Sequence, residues 1–274
     1  MSFRERNSHF EFGANWRDYA KSIDQTRIAS AIDGLKKLLP EGLGGKTFLD
    51  IGCGSGLHSL AALSLGSSSV LAIDIDENSV STTREVLSKF SHSKSWKANV
   101  LSIFDAKRDE IGTFDVVYSW GVLHHTGAMW NAIERAAALV KADGYFAIAI
   151  YAKTAFDLPW KIEKRIYKSL PAPGQWALRN SFIGVLLAGK LLRGKHPMTL
   201  LKSDLPRGMN LSNDVHDWLG GYPYETATVE ELVSKFSSFG FSLARSFPAN
   251  VSLGGLLGSG CHELVFHKTA INRS

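Results

Sequence analysis

From residue 16 to residue 39 the apolar positions Trp16, Tyr19, Ile23, Ile28, Ile32, Leu35 and Leu39 recur at spacings of three to five. That period predicts an amphipathic helix. Pro40 and the glycines at 42, 44 and 45 end it. The pattern then changes to short, continuously apolar runs separated by helical stretches. Strands are expected at 47–51, 70–74, 95–98, 114–119 and 145–151, with helices at 58–65, 79–90 and 130–140 between them. Strands that alternate with helices pair in parallel through crossover connections. Runs that are apolar throughout, rather than alternating, fit a sheet covered by helices on both faces.

After Tyr151 the alternation breaks. Two helices are expected at 158–170 and 175–192, followed by a Gly/Asn/Asp-rich stretch. The alternation resumes with a helix at 229–239 and strands at 241–247 and 262–267. The chain therefore divides into an N-terminal helical segment (1–45), an α/β core (46–151), a helical insertion (152–220) and a C-terminal part of the core sheet (221–274).

Composition narrows the class. With 45% hydrophobic and 21% charged residues the chain is globular rather than disordered. Its two cysteines, Cys53 and Cys261, make no disulfide scaffold, which suggests a reduced, cytoplasmic setting. The opening stretch has charges and no apolar run, unlike a secretory signal. No segment approaches the roughly 18 apolar residues of a spanning helix.

The chemistry centres on the run Phe48 to Ser59, FLDIGCGSGLHS. Gly52, Gly54 and Gly56 turn the chain from a strand into a helix, where backbone must approach a ligand closely. The helix start offers free amides and the positive dipole end, suited to a carboxylate. A dinucleotide fingerprint needs glycine at the sixth position, which here is Leu57. A phosphate loop needs Gly-Lys-Ser/Thr, which is absent. Asp74, at the end of the second strand, suits the two hydroxyls of a ribose. A nucleotide-type crevice for another ligand, such as NAD, remains open on these residues. Asp76 reads as a helix N-cap, and Asp115 as a strand-edge turn residue.

Taken as a set, Asp50 to Gly56, Asp74, Phe114-Asp115-Val116-Val117 and Leu123-His124-His125 resemble class I S-adenosylmethionine-dependent methyltransferases over about residues 46–151. The resemblance implies a seven-stranded, Rossmann-like doubly wound sheet with the last strand antiparallel, and a helical cap from 152–220. It implies S-adenosylmethionine as cofactor and S-adenosylhomocysteine as product. It places Gly52, Cys53, Gly54 and Gly56 around the methionine moiety, with Asp50 near its amino group. Asp74 and Ile75 would lie at the ribose, Asn99 and Val100 at the adenine, and Trp120 over the cofactor; many relatives have Asp where Asn99 stands. The stretch FEFGANW resembles an element that covers the cofactor in some relatives, so Asn15 and Trp16 are candidate lid contacts and 1–45 a helical lid.

Methyl transfer needs an acceptor in line with the sulfonium, and often a base. No Asn-Pro-Pro-Tyr-type motif of base methylation follows the fourth strand. Trp120 to His125 instead resembles enzymes acting on small molecules and quinone precursors. His124 and His125 are expected at the crevice, His124 as a candidate base and His125 as a substrate contact. A second cluster, Asn213 to Glu225, reads as a loop over the crevice. There His216 is the candidate base, Tyr222 orients the acceptor, and Asp217 and Tyr224 touch it. The Gly-rich patch Asn250 to Gly260 is a further candidate for approach to the substrate.

Charge is unevenly spread. Residues 153–207 hold eleven basic and three acidic side chains, while the whole chain has 31 and 26. Interleaved with apolar residues, this basic charge suits an anionic membrane surface or an acidic or lipid-linked acceptor. The expected activity is O-methylation of a small hydroxylated acceptor by a cytoplasmic protein, with the basic insertion suggesting a peripheral place at the membrane. No metal is expected. The alternatives are a non-catalytic binding protein on the same scaffold and a nucleic-acid methyltransferase; the apolar character of the basic region argues against nucleic acid as a partner.

Overall fold

The computed structural model describes residues 12–192, 194 and 211–269. The predicted helix 16–39 is two helices, α1 (Phe12–Ala20) and α2 (Gln25–Leu38). Asp24 breaks them apart: its carboxylate accepts from Arg27 N at 2.9 Å and caps α2. The core follows as β1 (Thr47–Ile51), α3 (Leu57–Ser64), β2 (Ser69–Asp74), α4 (Glu77–Phe90), β3 (Trp96–Val100), α5 (Arg108–Ile111), β4 (Phe114–Trp120), α6 (Met129–Ala138) and β5 (Val140–Tyr151). The insertion supplies α7 (Asp157–Ser169), α8 (Ala172–Leu192) and α9 (Leu211–Gly220). The chain then forms α10 (Val229–Ser238), β6 (Phe241–Phe247) and β7 (Cys261–Lys268). Asp76 caps α4 as expected, and Thr228 with Glu231 forms a reciprocal capping box on α10.

One seven-stranded sheet runs in the order β3-β2-β1-β4-β5-β7-β6. Strands β1 to β5 pair in parallel, and β7 is antiparallel to both its neighbours. This is the doubly wound Rossmann-like sheet that the resemblance implied. Both faces are buried, because successive residues of one strand enter different cores. Phe48, Val116, Ala147 and Val265 pack with α2 and α3. Leu49, Val117, Phe146, Leu264 and Phe266 pack with α6 and α10. Phe236 of α10 stacks flat on Phe266, with centroids 3.8 Å apart. The first strand to pass the centre of the sheet, β1, thus feeds the Gly52–Gly56 turn at the point where the strand order reverses, where open α/β sheets bind ligands.

Two departures from the expected pattern matter. Helix α2 buries Ile28, Ala31, Leu35 and Leu38 in the core, so of the described residues up to 45 it is α1 that crosses the crevice, while α2 belongs to the core. Residues 211–220, expected as loop, are helix α9, which packs against α7 and α8. Arg193, Lys195, Lys202 and Arg207, on which part of the basic charge rests, lie outside the described residues, as does Asp204. No helix among the described residues is long and apolar enough to cross a membrane.

Candidate active site

The turn after β1 is held by the neighbouring strand. The amides of Gly52 and Cys53 both donate to the Ile73 carbonyl, at 2.8 and 3.1 Å. Gly52 has φ +74°, and a Cβ there would sit 2.4 Å from Val122 Cγ2. Gly56 also has positive φ and starts α3. Both positions therefore require glycine, for conformation and for space. Cys53 is buried among Ala72, Val80 and Ala98, and its Sγ accepts from Thr83 Oγ1. Burial pushes its thiol up, so it fills space rather than reacting.

Two carboxylates stand at adjacent strand ends. Asp50 accepts from Ser59 Oγ at 2.6 Å; burial raises it to about 7, with repulsion from Asp74 a smaller cause. Asp74 accepts from the amides of Asp76 (2.9 Å) and Gly54 (3.2 Å), and burial raises it to about 6. Buried carboxylates with raised pKa values mark a site built for a positively charged or hydroxyl-bearing ligand.

A cavity of about 960 Å³ begins at Gly52, Asp74, Ile75 and Trp120. Its next wall is Leu101 to Phe104. Asn99 and Val100, expected here, stay on the exposed edge strand β3, outside the wall. The chain enters the crevice only after Val100, where Leu101 N donates to Asp74 O. Asp50, Cys53, Gly54 and Gly56 shape the turn without lining the cavity.

Helix α1 roofs this end. The Trp16 indole lies over Gly54, 3.1 Å from where a Cβ would stand, and lines the cavity with Phe12. Gly13 seats against the Asp76 carboxylate, where a Cβ would be 2.4 Å from Oδ2. Arg17 bonds Asn78 at the start of α4. Asn15 Nδ2 donates to Asp217 Oδ1 at 2.7 Å, which ties the roof to α9.

The cavity continues to His125, Tyr151, Asp214, Asp217 and Trp218. Apolar side chains of α8 (Phe182, Val185, Leu186) and of the turn after β6 (Leu253, Leu257) close it. Asp214 and Asp217 reach it together because α9 presents 211, 214, 215 and 218 at helical spacing. Burial raises Asp217 well above the usual carboxylate range, against the lowering effect of Asn15. It raises Asp214 to about 6. His125 is buried, and its Nδ1 lies 2.8 Å from the Pro223 carbonyl. A carbonyl only accepts, so in the neutral ring Nδ1 carries the hydrogen and Nε2 is the basic nitrogen.

The other candidates sit elsewhere. His124 is fully buried beneath the Tyr151 ring (centroids 3.9 Å apart), outside the cavity wall. Its burial holds it well below the usual histidine range, and its Nδ1 accepts from Tyr151 N. His216 lies on α9 rotated away from the cavity, with Nδ1 2.7 Å from the Tyr167 hydroxyl. The helix explains this: a loop could have turned His216 and Asp217 the same way, but α9 sets them about 100° apart. Tyr222 lies outside the wall near Lys168. Tyr224 is buried behind Tyr151 and Trp218 and lines a smaller cavity of about 370 Å³.

Behind the wall, Lys164 is fully buried, with Nζ 3.7 Å from the centre of the Trp218 ring and bonded to the Trp218 carbonyl. Burial lowers its pKa. This contact fixes Trp218 against the cavity. Tyr151 and Asp214 were not anticipated from sequence. The available signal for Tyr151 was its place as the last residue of a strand on the carboxyl edge of the sheet.

Comparison with known proteins agrees with this geometry. Residues 49–146 match a family model described as a methyltransferase domain. Ribosomal protein L11 methyltransferase from Thermotoga petrophila is 41% identical over 86 residues, 31% of this chain and 29% of that protein. A tRNA U34 carboxymethyltransferase from Idiomarina loihiensis is 28% identical over 106 residues, 39% of this chain and 33% of that one. The aligned segment thus spans about a third or less of these curated relatives. Magnesium protoporphyrin IX methyltransferase from Synechocystis PCC 6803, solved with bound S-adenosylhomocysteine, superposes with TM-score 0.53 at 16% identity, covering 89% of this chain and 83% of that one. The N-methyltransferase NodS from Bradyrhizobium japonicum gives TM-score 0.51 at 11% identity, covering 88% and 86%. These structures share the fold.

Proposed function

We propose that this chain, whose residues 49–146 match a methyltransferase domain, transfers the methyl group of S-adenosylmethionine to oxygen on a small, largely apolar, hydroxylated acceptor. One observation carries the reading: a single cavity joins the Gly52–Asp74 crevice to a second end lined by His125, Tyr151 and Asp217. Donor and acceptor can therefore meet without water between them.

The residues present fit the cofactor. Asp74 would offer carboxylate oxygens to the ribose hydroxyls, and Trp16 and Phe12, which line the same cavity from α1, would cover it. When bound, the cofactor supplies an activated methyl group on a sulfonium. The chain's part is orientation, water exclusion and proton removal. His125 takes the acceptor proton at Nε2, its ring held by the Pro223 carbonyl. Tyr151 and Asp217 orient the acceptor hydroxyl. Asp214, still largely ionised at neutral pH, disfavours an acidic group at this end, which favours a hydroxylated, lipid-linked acceptor over an acidic one.

Release of S-adenosylhomocysteine over a panel of lipophilic phenols and quinols tests this. His125→Ala should lower turnover about 10²–10⁴-fold with cofactor affinity nearly unchanged. His125→Ala that turns over normally with an accepted substrate would remove the histidine from the mechanism. Wild type that releases no product from any acceptor, while binding the cofactor, would favour a non-catalytic binding protein.

A further inference from the structure

Helix α7 has its polarity reversed. Trp160, Lys164 and Tyr167 face inward, and Lys164 and Tyr167 are fully buried. Leu158, Ile162 and Ile166, one turn apart, face outward at 68, 53 and 52% exposure. Helix α8 follows with 21 residues, of which no described side chain is buried, and it exposes Trp176, Leu178, Val185 and Leu191. The turn after β6 adds exposed Leu253 and Leu256. The three elements are tied together. Trp160 Nε1 donates to Gly255 O at 2.7 Å, and the Trp160 and Phe182 rings meet edge to face. Neighbouring elements that all turn large apolar side chains to water mark an interaction face.

Charge selects the occupant. Lys161 and Arg165 are exposed and stand beside Ile162 and Ile166 on the outward side of α7. The acidic residues of α7 do not offset them. Asp157 is engaged by Thr154 and Thr226, and Glu163 is partly buried next to Lys164. A second copy meeting this face across a two-fold axis would set Lys161 and Arg165 against their own equivalents. An anionic bilayer accepts both the cations and the apolar stripe. No described helix can cross a membrane, so these would lie in its surface. Val185 and Leu253 belong both to this exposed set and to the cavity wall. The cavity therefore opens among the residues that would enter the headgroup layer.

We propose that α7, α8 and the 252–258 turn dock on an anionic membrane surface, and that the acceptor enters the cavity from that membrane. The second half rests on the methyltransferase reading; the first does not. Flotation of the full chain with phosphatidylcholine vesicles, with and without about one third phosphatidylglycerol, tests the docking. The expected result is binding to the anionic vesicles that weakens with salt and is lost in Ile162→Glu/Ile166→Glu. Lys161→Gln/Arg165→Gln should weaken it about 25-fold, at about five-fold per charge. All variants should keep the far-ultraviolet circular dichroism and the cooperative melting of wild type, which shows that they are folded. Wild type that binds neither vesicle at low salt overturns the proposal. So does a dimer in sedimentation that Ile162→Glu/Ile166→Glu dissociates, since a second copy would then own the face. If docking holds, product release from a quinol embedded in anionic vesicles should exceed that from neutral vesicles; equal rates would overturn entry from the membrane while leaving the methyltransferase reading intact.

Discussion

Replacing Asp50 by Asn removes a buried charge and leaves an oxygen for Ser59 Oγ, which now donates to the carboxylate at 2.6 Å. Burial is the main reason that Asp50 stands near 7 instead of 3.8, with Asp74 adding to it. Between those values the native state holds a proton that the unfolded chain has lost. Stability from this group therefore falls as pH rises through that window. Three units at about 1.4 kcal/mol each set an upper bound of ~4 kcal/mol on its cost at pH 8. Relaxation and water entering the open crevice reduce it, and a gain of ~1–3 kcal/mol is expected for Asp50→Asn. At about 2–4 °C per kcal/mol for a domain of this size, the apo variant should melt ~2–12 °C later than wild type at pH 8. The gain should shrink to a few tenths of a kcal/mol near pH 4, where the native state is protonated and the unfolded state about half so. The affinity of the same variant for S-adenosylhomocysteine should change little, because Asp50 shapes the turn without lining the cavity. Scanning fluorimetry from pH 4 to 8, paired with calorimetry, reads both effects. A variant that melts earlier at pH 8, or by the same increment at every pH, would refute the argument that this carboxylate is held at a cost to the fold.

Other outcomes follow from the same contacts. Gly52→Ala places a Cβ 2.4 Å from Val122 Cγ2 at φ +74°, and should cost ~2–4 kcal/mol in urea unfolding from overpacking and left-handed strain. Asn15→Ala removes the bond that ties the roof to α9; cofactor dissociation in stopped flow should quicken ~5–50-fold, roughly 1–2.5 kcal/mol, with the melting temperature changed little. His216→Ala should keep turnover within about three-fold of wild type, since the ring faces Tyr167 and not the cavity; a loss of the size expected for a general base would return His216 to the mechanism.

Much of the core was legible because its signals are local. The glycines at 52, 54 and 56, the carboxylate ending each of two strands, and the apolar runs at 47–51 and 114–119 each follow from steric or burial requirements of single elements. The cap was harder to read. Leu211–Gly220 carries aspartates and an asparagine, which favour turns, and the helix forms because Val215 and Leu219 bury against Tyr167. Read as a loop, the segment turns His216 to the crevice; as a helix it turns the ring to Tyr167. His124 and His125 illustrate a second limit. Adjacent residues of one short 3₁₀ turn point differently, and only the three-dimensional course of Pro223 shows which ring faces the cavity. Asn99 and Val100 were placed at the cofactor by likeness, whereas the turn into the crevice starts at Leu101. Tyr151 was read only as strand because its neighbours Asp214 and Trp218 come from distant sequence.

On this reading the Gly52–Asp74 crevice binds S-adenosylmethionine and its product. Calorimetric titration of S-adenosylhomocysteine into wild type and Asp74→Ala tests it most directly, with NAD titrated in parallel. Asp74 meets the cavity with two backbone donors already fixing its carboxylate. The account predicts one site in wild type, a loss of ~1.5–3 kcal/mol in Asp74→Ala, and no comparable heat with NAD. Equal affinity for NAD, or an unchanged affinity in Asp74→Ala, would contradict it.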